Sequence, residues 1–128
     1  MELEQKAGMP LGWERFRPQF VADGFDPQFV HAIFALNIAG ISCDQPKPCE
    51  RCPIPQINPE TGEKTAEPNR SLMKYKVWRN VKGELNPIFG ENINPHGEGI
   101  VQVGDEVEVT QLRDPRLVYG TYEEMRRE

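Results

Sequence analysis

Six of the chain's twelve prolines fall between Pro46 and Pro68, and this stretch constrains the fold more than any other. Proline fixes φ and removes an amide donor, which disfavours a regular helix and argues against a central strand. The segment is therefore expected to be an ordered loop or sheet edge, with an evident turn at Asn58-Pro59-Glu60-Thr61-Gly62. A loop this long inside a small domain is usually functional or disordered, and the flanking cysteines favour function.

Around it the pattern is mostly of period two. Phe34 to Ile38 alternates like a strand, Ala39-Gly40 turns it, and Ile41 to Asp44 returns it as a hairpin. Short strands are also expected at Phe16 to Val21, Ser71 to Trp78 and Asn86 to Ile93. Gly99 to Val103 and Val107 to Val109 flank Gly104-Asp105 as a second hairpin. Asp26-Pro27 can open a helical turn over Gln28 to His31. The charged tail should end as frayed helix or disorder near Glu123 to Arg127. Many short strands punctuated by Gly and Pro predict a mainly β chain, a closed or partly closed barrel with one or two short helices. The expected organisation is an N-terminal segment over 1–12, a β-barrel domain over 13–112 and a charged tail over 113–128.

The net charge of −5 argues against a nucleic-acid binder, which carries a basic stripe. No apolar run approaches the roughly 18 to 20 residues of a membrane span, and MELEQKAGMP lacks the apolar centre of a secretory signal. These features predict a cytoplasmic protein with neither nucleic-acid nor membrane partners. They leave the oligomeric state open.

Three cysteines, an odd number, do not suit a secreted disulfide framework. Cys43, in an alternating apolar run, reads as a buried strand residue. Cys49 and Cys52 form a CxxC within the proline-rich stretch. Structural zinc needs four ligands, and only a set of Cys43, Cys49, Cys52 and His96 is conceivable. A thioredoxin-like pair needs a helix start, which Cys52-Pro53-Ile54-Pro55 does not favour. A thiolate in a stiff loop beside Lys47 and Arg51 suits a transition metal. His31 and His96 read as hydrogen-bonded or surface histidines. On the residues alone, zinc, structural packing and a metal-binding thiolate all stay open.

Four stretches in order then resemble one family. Arg15-Phe16-Arg17-Pro18 resembles an RFRPN segment, and Lys47-Pro48-Cys49-Glu50-Arg51-Cys52 a KPCxRC loop. Asn58 to Gly62 is similar to a DPxTG turn. Phe89-Gly90-Glu91-Asn92 with Gly99 to Val107 resembles an FGQN…GGTIRVGDEV ending. Together they resemble the MOSC domain, the C-terminal domain of molybdenum cofactor sulfurase, and within it the amidoxime-reducing-component subgroup. That subgroup carries a further upstream portion, so the chain reads as truncated at its N-terminus. The resemblance implies a barrel like that of pyruvate kinase and a Mo-pterin cofactor whose metal is bound by Cys52, the catalytic thiol. Arg17, Lys47, Arg51, Gln19 and Asn58 are the implied cofactor-binding residues. Gln19 and Asn58 stand where the family has Asn and Asp, and Pro55-Gln56 replaces a Thr-Thr pair. Pyridoxal phosphate enters only through the sulfurases in which such domains occur. The implied chemistry is sulfur transfer or reduction of N-hydroxylated compounds within a larger system, with a redox or sulfur-transfer partner protein. The alternatives are a non-catalytic barrel serving as an interaction module and a small zinc-stabilised domain.

Overall fold

β1 (Ile33–Ile38) turns through two residues into β2 (Ile41–Glu50), and the turn explains the register. Ala39 and Gly40 both take positive φ, 51° and 77°. That pairing gives the tight hairpin whose twist matches the strands it joins, so Ile38 faces Ile41 and Leu36 faces Cys43. The computed structural model describes residues 2–26, 28–114 and 119–127. Besides the hairpin it contains β3 (Val77–Arg79), β4 (Leu85–Pro95) and β5 (Val107–Leu112). The helices are α1 (Glu2–Ala7), α2 (Asn69–Tyr75) and α3 (Tyr122–Arg126). Single 3-10 turns lie at Trp13–Phe16, Phe29–Ala32 and Ile54–Gln56. The strands form one five-stranded sheet in the order β3-β4-β2-β1-β5. The chain is mainly β with short helices, as expected, and among the described residues the sheet does not close on itself.

Local expectations met the structure unevenly. β2, which lies between β4 and β1 in the sheet, runs on through Pro46 and Pro48 to Glu50, where a loop or sheet edge was expected. Both prolines lie beyond Asp44, the last residue of β2 that pairs with β1, so they interrupt no β1 ladder bond. Ser71 to Trp78 is not one strand: α2 ends at Tyr75 and β3 starts at Val77. Leu72 and Tyr75, three apart, share a helical face there, and the buried Glu67 carboxylate accepts the Ser71 N–H and the Arg70 Nε–H. Phe16 to Val21 is not a strand either, for Phe16 ends a 3-10 turn and Arg17 follows in the left-handed region. Gly99 to Val103 forms no hairpin with β5. Its Gln102 amide donates to Asp105 in a local turn, and β5 pairs with β1 instead. At the other end Thr121 and Glu124 close a capping box on α3, which orders a segment expected to fray. Pro27 and tail residues 115–118 and 128 lie outside the described residues.

The chain divides into two compact units. The first comprises Met1–Val21, Glu50–Phe89 and Tyr119–Glu128. Its core joins Leu3, Leu11, Phe16 and Leu72, with Tyr75 and Phe89 packed against them. Each such side chain contributes about 1.5–3 kcal/mol when fully buried. The second unit comprises Ala22–Cys49 and Gly90–Val118, built on Ile33, Leu36, Ile38 and Cys43 with Val107 and Val109 against them. Cys43 is buried in a strand, as its pattern predicted, and burial, then the neighbouring Asp44, pushes its thiol up.

The second unit also holds a buried polar cluster. His31 Nδ1 and Arg113 Nη2 each lie 2.7 Å from Glu91 Oε1. The side chains of His31 and Glu91 are 0% and 1% exposed. Arg113 also donates to the main-chain carbonyls of His31 and Gln45, while Gln45 Nε2 donates to those of Val30 and Ile33. His31 is therefore hydrogen-bonded, one of the two readings of its sequence, and buried instead of at the surface. His96 is exposed and hydrogen-bonded to Asp44 at 2.7 Å.

Candidate functional site

The first unit carries a cleft of about 220 Å³ lined by Arg15, Phe16, Arg17, Glu50, Arg51, Cys52, Ile54 and Pro55. Two stretches far apart in sequence supply it: the end of the Trp13–Phe16 turn and the segment that leaves β2. Proline explains the path of the second stretch. Pro53 occupies the cap of the Ile54–Gln56 turn and Pro55 lies within it, so the chain makes one tight turn and cannot continue as helix. The Gln56 amide donates to Pro53 O, and Gln56 Nε2 to Thr65 O.

Cys52 sits at the start of this turn with its side chain exposed. Its carbonyl accepts Asn69 Nδ2 at 3.0 Å, which ties the residue to α2. Arg15 is buried and donates from Nη1 to Pro55 O. Arg51 makes more contacts. Its amide donates to Pro87 O at 2.9 Å, Nε and Nη2 donate to Phe89 O at 2.8 and 2.6 Å, and Nη1 donates to Phe16 O at 3.2 Å. Its guanidinium carbon lies 5.0 Å over the Phe16 ring, which stacks on Phe89 at 4.2 Å.

Arg17 differs from both. It is exposed, its backbone is left-handed at φ 48° and ψ 52°, and among the described residues no hydrogen bond or ion pair holds its guanidinium. Glu50 is the cleft's one acid, and its Oε1 accepts Asn86 Nδ2 and Asn80 Nδ2 at 2.8 and 3.0 Å. Three arginines against one engaged carboxylate make the cleft electropositive, the setting for an anionic ligand.

The cleft thus brings together Arg17, Arg51 and Cys52 from the residues singled out in the sequence. Gln19 is exposed and does not line it. Lys47 lies exposed on β2, in the second unit. Asn58 spends its side chain on its own turn, where Oδ1 accepts the amides of Glu60 and Thr61. Arg15 and Pro55 were missed as site residues, although both stand within the quoted motifs or beside them. Their signal is a buried arginine facing a proline carbonyl, which no spacing rule reveals.

The donor set bears on which metal could fit. Among the described residues no three His, Cys, Asp or Glu side chains gather around a common point. Cys43 Sγ points to Ile41 O, and His96 is engaged by Asp44. The four-ligand zinc arrangement therefore has no donor set. One accessible thiol beside a cation suits a metal that arrives already chelated by an anionic organic cofactor.

Comparison with known proteins identifies the family of the chain. A family model described as MOSC domain matches residues 1–108. Molybdenum cofactor sulfurase of Solanum lycopersicum is 31% identical over a stretch that covers 76% of this chain and 12% of the relative. Mitochondrial amidoxime-reducing component 1 of Homo sapiens is 28% identical over 72% of the chain and 28% of the relative. Mitochondrial amidoxime reducing component 2 of Macaca fascicularis is 27% identical over 84% and 33%. The chain thus spans a third or less of each of these proteins. No described helix is long and apolar enough to cross a membrane.

Proposed function

The chain belongs to the MOSC domain family, and from that premise we propose that its Cys52 cleft binds a molybdenum-bearing anionic cofactor. The observation that carries the reading is the shared cleft of the exposed Cys52 thiol and the exposed Arg17 guanidinium. Cys52 holds the metal as thiolate. Arg17 pairs with an anionic group of the cofactor, and a planar fork suits phosphate in particular. Two asparagines hold Glu50, and the three arginines of the lining outweigh its one negative charge for an incoming anion. When bound, the cofactor supplies two-electron or sulfur-transfer chemistry. The protein's part is to present one thiol, to fix it in a stiff loop, and to hold positive charge beside it.

The names of the relatives point to two activities, service to the molybdenum cofactor and reduction of amidoximes. Either one in this chain would need a redox or sulfur-transfer partner protein. The test is expression in a host that makes the cofactor, followed by metal analysis. Stoichiometric molybdenum with pterin is expected in the wild type and its loss in Cys52→Ala. Retention of the metal by that variant would sink the assignment. A persulfide on Cys52 in protein that carries no molybdenum would favour the sulfur-carrying form of the same site.

A further inference from the structure

We infer that Arg51 is a positioning residue for Cys52 and not, like Arg17, a ligand-binding cation of the cleft. This rests on the reading of Cys52 and Arg17 as the binding pair, and it assigns different work to two arginines that the sequence treats alike.

A guanidinium binds anions through its N–H fork, and the fork of Arg51 is already engaged. Nε and Nη2 both reach Phe89 O, and Nη1 reaches Phe16 O. These are part-buried main-chain carbonyls of the first unit, where an acceptor left without a donor is costly. An incoming phosphate or carboxylate would have to displace those bonds. The positions of the two carbonyls explain what the engagement achieves. Phe16 directly precedes Arg17, and Phe89 lies near the carbonyl of Pro87, which accepts the Arg51 amide. One side chain therefore ties the residue before the exposed cation to the residue before the exposed thiol. Arg15 adds a second tie, from the other end of Arg15-Phe16-Arg17 to Pro55. Asn69 adds a third, on the carbonyl of Cys52 itself. The thiol and the cation are thus held from both sides, while Arg17 keeps its donors for a ligand.

Lysine has the charge of arginine without the planar fork, so it cannot serve both carbonyls in one geometry. That difference gives the test. In the full chain, Cys52 is alkylated with neutral iodoacetamide or anionic iodoacetate at low salt, and its own peptide is quantified by mass spectrometry. The thiolate displaces iodide from both reagents, so its fraction cancels in the ratio of the two rates. The ratio therefore reads the positive field at the sulfur, which a merely structural role would not move. Arg17→Gln should lower it about fivefold, the scale of one charge a few ångströms away in water, and Arg17→Lys should restore most of it. Arg51→Lys and Arg51→Gln should both lower it about threefold, in chains that circular dichroism shows to be folded.

A wild-type ratio in Arg51→Lys with a low one in Arg51→Gln would make Arg51 a charge rather than a tie, and overturn the inference. Wild-type ratios in both would overturn it as well. If the Arg51 variants fail to fold, Arg17→Gln decides. A fall to the ratio of the denatured chain leaves no field for Arg51 to supply, whereas an unchanged ratio refutes the assignment. The measurement needs no cofactor, so its outcome is separate from whether Cys52→Ala loses molybdenum.

Discussion

The Cys52 cleft of the first unit and the His31–Glu91–Arg113 cluster of the second treat ionisable side chains in opposite ways. In the cluster every charge meets a countercharge or a carbonyl: His31 and Arg113 converge on one Glu91 oxygen, and Arg113 reaches two carbonyls besides. In the cleft one arginine is consumed in the same manner and another, Arg17, is left open beside an exposed thiol. Burial beside a countercharge makes a group structural, because removing it strands its partners. Exposure without pairing leaves the group available for a ligand and of little consequence to stability.

The comparison breaks first at Glu91. Glu91→Ala should cost about 3–5 kcal/mol, since it leaves His31 and Arg113 facing each other without their acceptor. Urea denaturation measures this, and a cost below about 1 kcal/mol would show that the second unit does not depend on the cluster. Arg51→Ala should cost less, about 1–3 kcal/mol, for the carbonyls of Phe16 and Phe89 that it orphans. The same melts read it, and a value near zero would move Arg51 into the class of Arg17. Arg17→Gln and Cys52→Ser should change stability by less than about 0.5 kcal/mol, which calorimetric melting can confirm while molybdenum loading falls.

The first unit's tyrosines add a pH dependence. Burial, then the Glu2 and Tyr119 charges, pushes the Tyr75 phenol up to about 12 from 10. A phenol whose folded value is raised favours the folded state fully below pH 10, and this contribution is lost as the pH climbs through 12. Stability measured by denaturant melts should therefore fall between pH 10 and 12, and Tyr75→Phe should flatten that fall. An unchanged slope would place the alkaline sensitivity elsewhere.

How legible all this was in the sequence depended on the range of the cause. The β1–β2 hairpin was readable, because Ala39-Gly40 between alternating strands is a local signal. Buried Cys43 followed from the same alternation. The helix over Asn69–Tyr75 was not readable as such. Its seven residues are shorter than a reliable periodic window, and the buried Glu67 that accepts its Ser71 amide precedes it in a stretch read as loop. The continuation of β2 through two prolines was hidden because it turns on where β1 stops pairing, a matter of tertiary register. At the site, the motifs carried Cys52, Arg17 and Arg51 to one place, and family resemblance, not spacing, distinguished Cys52 from Cys49. What the motifs could not show was the division of labour among the arginines. Arg15, Arg17 and Arg51 have the same formula, and only their acceptors separate them.

The left-handed backbone at residue 17 sets stability against use. An L-side chain there costs about 1–2 kcal/mol relative to a glycine, which adopts φ 48° freely. Nothing else described for the Arg17 side chain repays that cost within the folded chain. Arg17→Gly should therefore give a protein that melts higher and binds its anion worse. A library selected only for thermal robustness would drift toward glycine at this position, and one selected for cofactor retention would hold the arginine. Residue 17 is thus a place where the two selections can be told apart by a single codon.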